Sequence, residues 1–132
     1  MSDVDDLIAA ATAVRDAAYA PYSGYAVGAA VISESGQVYA GCNVENAAYP
    51  QGWCAEASAI AHMIAAGERH IRAVAVVGGG DGLCTPCGGC RQKLREFAAD
   101  DTPVHVCGPE GLRRTVTLGD LLPLAFGPEQ LP

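Results

Sequence analysis

Two separated cysteine clusters have residue types and spacing that suit chemistry. The first is the tripeptide CAE that begins at Cys54, and the second is the pentapeptide PCGGC that ends at Cys90. Residues three apart share one face of a helix, so Cys87 and Cys90 can present both sulfur atoms to one point. Each cluster stands at the start of a predicted helix, where the partial positive charge lowers the pKa of a thiol. The two clusters therefore predict a site that holds thiolates.

Cys54 added to Cys87 and Cys90 gives three thiolate ligands for one Zn²⁺ ion. Structural zinc sites use four protein ligands, whereas three ligands leave a position open for water. Water on zinc has a pKa of about 7, so a hydroxide nucleophile is available at neutral pH. Glu56 lies two residues after a ligand and can stand beside the metal as a general acid and base. The pattern predicts a hydrolytic zinc centre with Glu56 as its catalytic residue.

The elements that position these residues are predicted from hydrophobic spacing and turn residues. Helices are predicted over residues 2–19, 54–66 and 87–98, followed by a last short helix capped by Thr117 and Asp120. Strands are predicted over residues 26–33, 37–40, 72–77, 102–107 and 115–117. Helices that alternate with apolar strands predict an α/β sandwich with a mixed sheet, in a single domain over residues 1–132.

Charge and hydropathy exclude several kinds of partner. The formal net charge is −7, and the arginines are scattered along the chain around one lysine, Lys93. Such a surface repels phosphate backbones, so we expect a small-molecule substrate and no nucleic acid polymer. We find no apolar stretch long enough for a bilayer and no secretory signal, so we expect no membrane partner. Six cysteines without an export signal predict free thiols in the cytoplasm.

Motifs outside the cysteine clusters narrow the assignment to one family. CAE followed by PCxxC is the signature of zinc-dependent deaminases. The stretches VGAA, GCNVENA, YP and CRQ, with the tail segments LP and FGPE, resemble the small homotetrameric cytidine deaminases from about residue 22 to residue 131. The resemblance implies a three-layer α-β-α sandwich with a central mixed sheet of about five strands. It also implies hydrolysis of cytidine or deoxycytidine to the uracil nucleoside and ammonia, in pyrimidine salvage.

The resemblance implies a role for each motif position. Cys54, Cys87 and Cys90 would hold one Zn²⁺ per subunit, and Glu56 would carry protons from water to the ring and to the leaving amine. The implied substrate contacts are Asn43 and Glu45 on the ribose, the Tyr25 ring on the pyrimidine, the Ala55 N–H on the 2-carbonyl oxygen, the Thr85 carbonyl on the amine, and Phe126. Phe126 would reach the site of a neighbouring subunit, so the expected assembly is a homotetramer with shared active sites.

A few positions depart from the family pattern. Ala57 stands where many members carry an arginine that donates to the sulfur atoms, which leaves the helix N-termini and Arg91 to offset the charge. Gln51 and Trp53 are unusual beside the site and would reshape the pocket toward a modified cytidine. Tyr25 replaces a commoner phenylalanine and adds a hydroxyl group.

Three other interpretations use the same residues. A deaminase of a nucleoside antibiotic such as blasticidin S shares the zinc motifs, but it lacks the ribose segment found here at residues 43–46. A closed structural zinc module would add Cys84 as a fourth thiolate. A dithiol redox protein would use the CxxC pairs, but it would leave Glu56 without a role. Cys42, Cys84 and Cys107 are predicted to be ordinary buried residues, and the three histidines are predicted to be structural.

Overall fold

The computed structural model describes residues 2–132 and contains the predicted order of helices and strands. The helices are α1 (Asp3–Arg15), α2 (Ala55–Ala65), α3 (Gly88–Phe97) and α4 (Leu118–Leu121), with short 3₁₀ turns at Tyr49–Gln51 and Pro128–Gln130. The strands are β1 (Gly28–Ser33), β2 (Val38–Cys42), β3 (Ile71–Val77), β4 (Pro103–Gly108) and β5 (Gly111–Thr117). Among the described residues, no helix has both the length and the apolar character that a bilayer crossing requires.

The strands form one mixed sheet in the order β2-β1-β3-β4-β5. β1 runs antiparallel to β2 and β3, β3 runs parallel to β4, and β5 returns antiparallel to β4. Parallel strands need a crossover connection, and α3 supplies it between β3 and β4. The loop that carries Cys87 therefore leaves the sheet at the carboxyl end of β3.

Helices cover both faces of the sheet, which confirms the three-layer α-β-α arrangement. Successive side chains of a strand point to opposite faces, so each central strand contributes to two separate cores. The first core joins the sheet to α2 and α3 and includes Val31, Val76, Ala59 and Leu94. The second core joins the sheet to α1 and includes Ile32, Ala75, Leu7 and Ala11. Burial on both faces explains why β1 and β3 read as nearly continuous apolar stretches.

Two glycines allow the helices to lie close against the sheet. A Cβ atom at Gly28 would overlap the carbonyl oxygen of Ala11 in α1. A Cβ atom at Gly41 would overlap the backbone of Ala59 in α2. Because close-packed interiors leave no room for such atoms, side chains here would push the helices outward. Gly41 thus fixes the distance between the sheet and α2, whose first turn follows Cys54.

Two predicted boundaries are wrong by four residues. α1 ends at Arg15 rather than at residue 19, because Tyr19 leaves the helix to pair with another segment. The Tyr19 N–H donates to the carbonyl of Asn43 at 3.0 Å, and the Tyr19 carbonyl accepts from the N–H of Glu45 at 2.8 Å. β5 begins at Gly111 rather than at residue 115. Its first residues look polar because an edge strand does not have to bury its side chains.

His105 makes the stability of this fold dependent on pH. It is buried in β4, with Nδ1 2.9 Å from the hydroxyl of Thr115 on β5. Burial lowers the pKa of His105 below the ordinary value of about 6.5. The unfolded chain then binds more protons than the folded one below that pH, so acidification should reduce the free energy of unfolding.

We expect His105→Gln to flatten the fall in stability that begins near pH 6.5. Urea unfolding at a series of pH values from about 7.5 to about 4.5 measures this slope. Wild type measured over the same pH series provides the reference slope. An unchanged slope in the His105 variant would contradict the prediction.

Candidate active site

Cys54, Cys87 and Cys90 meet where two helices begin. Cys54 immediately precedes the first turn of α2, and Cys87 occupies the same position before α3. The Sγ atoms of Cys54 and Cys87 are 3.8 Å apart, and all three Sγ atoms lie within 4.8 Å of one another. Cys90 is buried whereas Cys87 is exposed, so the cluster is open to solvent on one side. The structure thus brings the three predicted ligands together.

This donor set fits a zinc ion. Thiolate sulfur binds zinc at about 2.3 Å, and a tetrahedral arrangement then puts neighbouring sulfur atoms about 3.8 Å apart. Burial and the negative charges of Glu56 and the neighbouring thiols raise the pKa of Cys90 well above its ordinary value. A divalent cation among the sulfur atoms would offset this repulsion and keep the thiols deprotonated. Among residues 2–132 the cluster offers three possible ligands, which leaves room for one ligand from outside the protein.

Cys84 lies outside the metal-binding cluster among the described residues. Its thiol lies against the hydroxyl of Tyr25, and this contact, followed by burial, raises the pKa of Tyr25. The same hydroxyl donates to the carbonyl of Gly79 at 3.2 Å. Cys84 therefore helps to hold the Tyr25 ring, and a closed four-thiolate site is not favoured.

The Glu56 carboxyl group lies beside the cysteines in the first turn of α2. Its side chain is nearly buried, with 5% of the residue exposed. Burial raises the pKa of Glu56, and the positive charge of Lys93 opposes that rise. The negative charge of Glu56 in turn contributes to the raised pKa values of Cys54 and Cys90, after burial as the main cause. A buried carboxyl group at the edge of an open metal site is placed to exchange protons with a bound reactant.

The predicted ribose-binding residues are held next to the cluster by backbone pairing. The Val44 N–H donates to the Trp53 carbonyl at 2.9 Å, and the Trp53 N–H donates to the Val44 carbonyl at 2.8 Å. Tyr19 pairs with Val44 on the other side. Because Trp53 directly precedes Cys54, this pairing fixes residues 43–45 relative to the first metal ligand.

The Asn43 side chain joins two turns of the backbone. Its Oδ1 accepts from the N–H of Val27 at 2.9 Å, and its Nδ2 donates to the carbonyl of Tyr25 at 2.9 Å. An amide has two donor hydrogens and two acceptor lone pairs, so one of each remains. Asn43 can therefore contact a hydroxyl group while it positions Tyr25.

Glu45 faces a cleft that the sequence did not predict. Its carboxylate accepts from the backbone N–H groups of Tyr22 and Ser23, at 2.9 and 3.0 Å, and also from the Ser23 hydroxyl. The bonds from Ser23, with that from Tyr22, lower the pKa of Glu45 and keep it an acceptor. The cleft has a volume of about 360 Å³ and is lined by Tyr22, Ser23, Glu45, Asn46, Tyr49 and Gly52. From the sequence, the PYSG stretch at residues 21–24 predicts only the end of a helix. Nothing in the neighbouring sequence indicates that Glu45 accepts hydrogen bonds from the N–H groups of this stretch.

The remaining residues predicted to contact the substrate, Ala55, Thr85 and Phe126, lie in different parts of the structure. Ala55 is in the first turn of α2, where backbone N–H groups have no partner inside the helix. Thr85 lies in the loop between β3 and α3 and is half-buried. Phe126 is exposed, and its carbonyl accepts from Nε2 of Gln92 on α3 at 2.8 Å. The Phe126 ring therefore points to solvent in a single chain.

Arg91 does not take the place of an arginine at position 57. Its Nε donates to the Pro86 carbonyl at 2.7 Å, its Nη1 to the Leu121 carbonyl at 2.9 Å and its Nη2 to the Thr85 hydroxyl at 3.1 Å. These oxygen partners tie the loop before α3 to the end of α4. Among the described residues, the hydrogen bonds of the Arg91 guanidinium group go to two backbone carbonyls and the Thr85 hydroxyl and not to the sulfur atoms.

Comparison with known proteins supports this geometry. The family model described as the cytidine and deoxycytidylate deaminase zinc-binding region matches residues 1–106. The chain belongs to this family. A cytidine deaminase of Sporosarcina psychrophila is 43% identical over 129 residues, which are 98% of this chain and 95% of the relative. The cytidine deaminase of Mycobacterium tuberculosis strain H37Rv is 42% identical over 135 aligned positions, covering 100% of this chain and 97% of the relative.

A solved member of the same family has the same fold. The crystal structure of cytidine deaminase from Burkholderia pseudomallei matches with a TM-score of 0.89 at 45% identity, covering 96% of this chain and 100% of that chain. Similarity to cytidine deaminases over nearly the whole chain does not favour an antibiotic deaminase, a structural zinc module or a dithiol redox protein.

Ala57 and Trp53, two residues that depart from the family pattern, lie close together in the structure. Both residues line a mainly apolar groove of about 410 Å³ along α2 and α3, with Ile60, Ala61, Gln92, Lys93, Glu96 and Phe97. Ala57 is buried, whereas Trp53 is half exposed. The groove therefore lies on the side of α2 that a larger side chain at position 57 would face.

We expect the purified chain to hold one zinc ion and to lose it when Cys90 is changed. Cys90→Ser replaces a thiolate with a neutral hydroxyl, which is a poor zinc ligand, so zinc content should fall well below one ion per chain. Cys42→Ser is the matched control, because Cys42 lies outside the cluster among the described residues. Elemental analysis after dialysis measures the zinc content of both variants. Equal zinc content in the two variants would contradict the assignment.

Proposed function

We propose that this protein hydrolyses the 4-amino group of cytidine and deoxycytidine, giving the uracil nucleoside and ammonia. The observation that carries the proposal is the convergence of three sulfur atoms beside the buried Glu56 carboxyl group. In a member of this family, that arrangement would provide a metal centre that is open on one side and has a proton carrier next to it. The curated relatives at 42–43% identity are named cytidine deaminase.

Cys54, Cys87 and Cys90 would hold the zinc ion, and Glu56 would move the protons. When bound, Zn²⁺ supplies a nucleophile at neutral pH, because it lowers the pKa of water to about 7. Glu56 accepts the proton that the water loses and delivers it to ring nitrogen 3, which activates carbon 4 to attack. Glu56 would then take the remaining proton from the oxygen now bonded to carbon 4 and transfer it to the exocyclic amine, so that the bond from carbon 4 to nitrogen breaks and ammonia leaves. Its raised pKa suits both steps, because the group must accept and release a proton near neutral pH.

Backbone groups at the two helix starts would orient the pyrimidine ring. The free N–H of Ala55 is directed by α2 and would donate to the 2-carbonyl oxygen. The carbonyl of Thr85 would accept from the departing amine. Arg91 supports this second contact, because it anchors both the Thr85 hydroxyl and the Pro86 carbonyl. Rigid positioning of this kind supplies much of the rate in metal hydrolases.

Asn43, Glu45 and Tyr25 would bind the nucleoside beside the metal. Asn43 retains one donor and one acceptor, and Glu45 retains acceptor capacity, which suits a sugar hydroxyl group. Tyr25 would pack on the pyrimidine ring. Its hydroxyl group donates to the Gly79 carbonyl and contacts the Cys84 thiol, which would hold the ring in place. The proposal includes a role for Trp53 and Gln51 in shaping specificity toward the base.

Glu56→Gln tests the proton carrier directly. The amide keeps the shape of the side chain but cannot accept the proton, so we expect normal zinc content and a loss of turnover of about 10²- to 10⁴-fold or more. Loss of absorbance as cytidine is converted measures the rate, and zinc analysis measures the metal. Glu34→Gln changes an exposed carboxylate and is the control. Near-normal turnover in the Glu56 variant would remove Glu56 from the proposed role.

The proposed assembly is a homotetramer in which neighbouring chains complete each site. Phe126 is 56% exposed and Tyr49 is 75% exposed, and the cysteine cluster is open to solvent in one chain. Aromatic residues such as these are enriched in protein–protein interfaces. The tail that carries Phe126 is anchored to α3 through Gln92 and through the ion pair of Arg95 with Glu129. We place the protein in the cytoplasm, because thiolate ligands require a reducing compartment and the cysteines are free.

Mixing two inactive variants tests the shared site. Glu56→Gln chains retain Phe126, and Phe126→Ala chains retain Glu56, so mixed tetramers contain sites with both groups intact. We expect each variant alone to have low activity and co-expressed chains to regain part of it. Light scattering should give the mass of four 13.5 kDa chains. Activity no greater than the sum of the separate variants would contradict a shared site.

A further inference from the structure

The loop at residues 79–82 depends on side chains from elsewhere for its hydrogen bonds. The sequence GGGDG at residues 78–82 leads from β3 toward the segment that begins at Cys84. Glycine backbone is conformationally free, so a loop of this composition does not fix its own shape. Among the described residues, the hydrogen bonds to residues 79–82 come from two side chains, those of Tyr25 and Arg113.

Arg113 provides two of these three bonds from the edge of the sheet. Its Nη2 donates to the Gly80 carbonyl at 2.6 Å, and its Nη1 donates to the Gly82 carbonyl at 2.7 Å. The residue lies on the edge strand β5, yet its side chain is only 17% exposed. A Cβ atom at Gly108 would overlap the guanidinium group, so this glycine leaves the space that the group occupies. The planar guanidinium group can therefore hold two loop carbonyls at once.

Glu110 contacts the same guanidinium group without contacting the loop. Its carboxylate accepts from Nε and Nη2 of Arg113, each at 2.8 Å. Glu110 lies in the turn between β4 and β5, and its side chain is 60% exposed. Exposed ion pairs of this kind contribute little to stability. The ion pair and the loop contacts of Arg113 can therefore be separated by mutation.

The loop that Arg113 holds is in contact with the end of the Tyr25 ring. The Tyr25 hydroxyl donates to the Gly79 carbonyl at 3.2 Å. A Cβ atom at Gly78 would lie 2.6 Å from the same hydroxyl, so the ring ends directly against the loop backbone. Asn43 fixes the other end of the residue, because its Nδ2 donates to the Tyr25 carbonyl at 2.9 Å. The orientation of the ring therefore depends on where the loop lies.

The positive charge of Arg113 also reaches the Tyr25 hydroxyl. The contact with Cys84, followed by burial, raises the pKa of Tyr25, and the charges of Arg15 and Arg113 oppose that rise. The strength of such a charge effect falls with distance, so the guanidinium group lies near the hydroxyl. Arg113 is thus linked to Tyr25 both through the loop backbone and by its charge.

We propose that Arg113 is a positioning residue for nucleoside binding, which holds the Tyr25 ring in its binding orientation through the carbonyls of the loop at residues 79–82. Arg113 does not touch the substrate. The inference rests on the proposed function, in which Tyr25 packs on the pyrimidine ring. Such a contact stabilises the bound substrate and the transition state alike, so its loss should raise KM and leave kcat nearly unchanged.

The test measures cytidine kinetics in variants of the full chain. Arg113→Gln removes the bonds to both carbonyls, and we expect KM to rise about threefold to tenfold while kcat stays within about twofold of wild type. Arg113→Lys retains the charge and one donor group for the loop, so its KM should lie between the two. Glu110→Gln weakens the ion pair but leaves the loop contacts, so its KM should stay within about twofold of wild type. Tyr25→Phe removes the hydroxyl that meets the loop, so adding Arg113→Gln to it should raise KM by less than about twofold more.

A second measurement does not depend on turnover. In protein that contains isotope-labelled tyrosine, the NMR signal of Tyr25 is identified by its absence from Tyr25→Phe. We expect this signal to shift or broaden in Arg113→Gln, because the loop no longer holds the ring, and to keep its position in Glu110→Gln. Thermal unfolding of each variant shows whether the folded state is retained.

The outcomes separate this inference from the proposed function. Wild type that converts cytidine, with an unchanged KM in Arg113→Gln, would overturn the role of Arg113 alone. An equal rise in KM in Glu110→Gln would indicate an effect of the ion pair, and an equal rise in the Tyr25→Phe background would indicate a route that bypasses Tyr25; either result would overturn it. Wild type that converts no cytidine would refute the proposed function. An unmoved Tyr25 signal in Arg113→Gln would overturn the positioning role whether or not cytidine is converted.

Discussion

The mutual approach of three thiol groups is the interaction on which this structure depends. Sulfur atoms 3.8 Å apart repel one another once they are ionised, so they stay together only if rigid backbone holds them and a cation binds them. The backbone comes from the first turns of α2 and α3. Both helices pack on the same face of the sheet, where Ala59 and Leu94 share one core. Gly41 sets how closely α2 approaches that face.

The same packing determines the environment of Glu56. The first turn of α2 must be buried for Cys54 to reach Cys87, and this burial removes most of the Glu56 side chain from water. Desolvation raises the pKa of the carboxyl group, which is what a proton carrier near neutral pH requires. The proposed metal ligands and the proposed acid–base group are therefore positioned by one packing arrangement. The positive charge of Lys93 on α3 opposes this rise in pKa.

The residues proposed to bind the nucleoside lie in loops that the sheet positions. Residues 43–45 leave β2 and are fixed between Tyr19 and Trp53 by backbone hydrogen bonds. Asn43 and Glu45 then use part of their hydrogen-bonding capacity on neighbouring backbone and keep the rest for a ligand. Such bonds orient the side chains before a ligand arrives, which reduces the entropy that binding costs.

The sequence alone determined the order of elements, the mixed α/β class and the chemistry of the cysteine clusters. These depend on local periodicity, on cap residues such as Ser2 and Thr117, and on ligand spacing, all of which are written in short stretches of chain. Tertiary structure decided where α1 stops, how Glu45 caps the turn at Ser23, and that Arg91 binds oxygen rather than sulfur. It also brought Lys93 next to Ala57. Each of these results depends on contacts between residues far apart in sequence, and local propensity carries no information about such contacts.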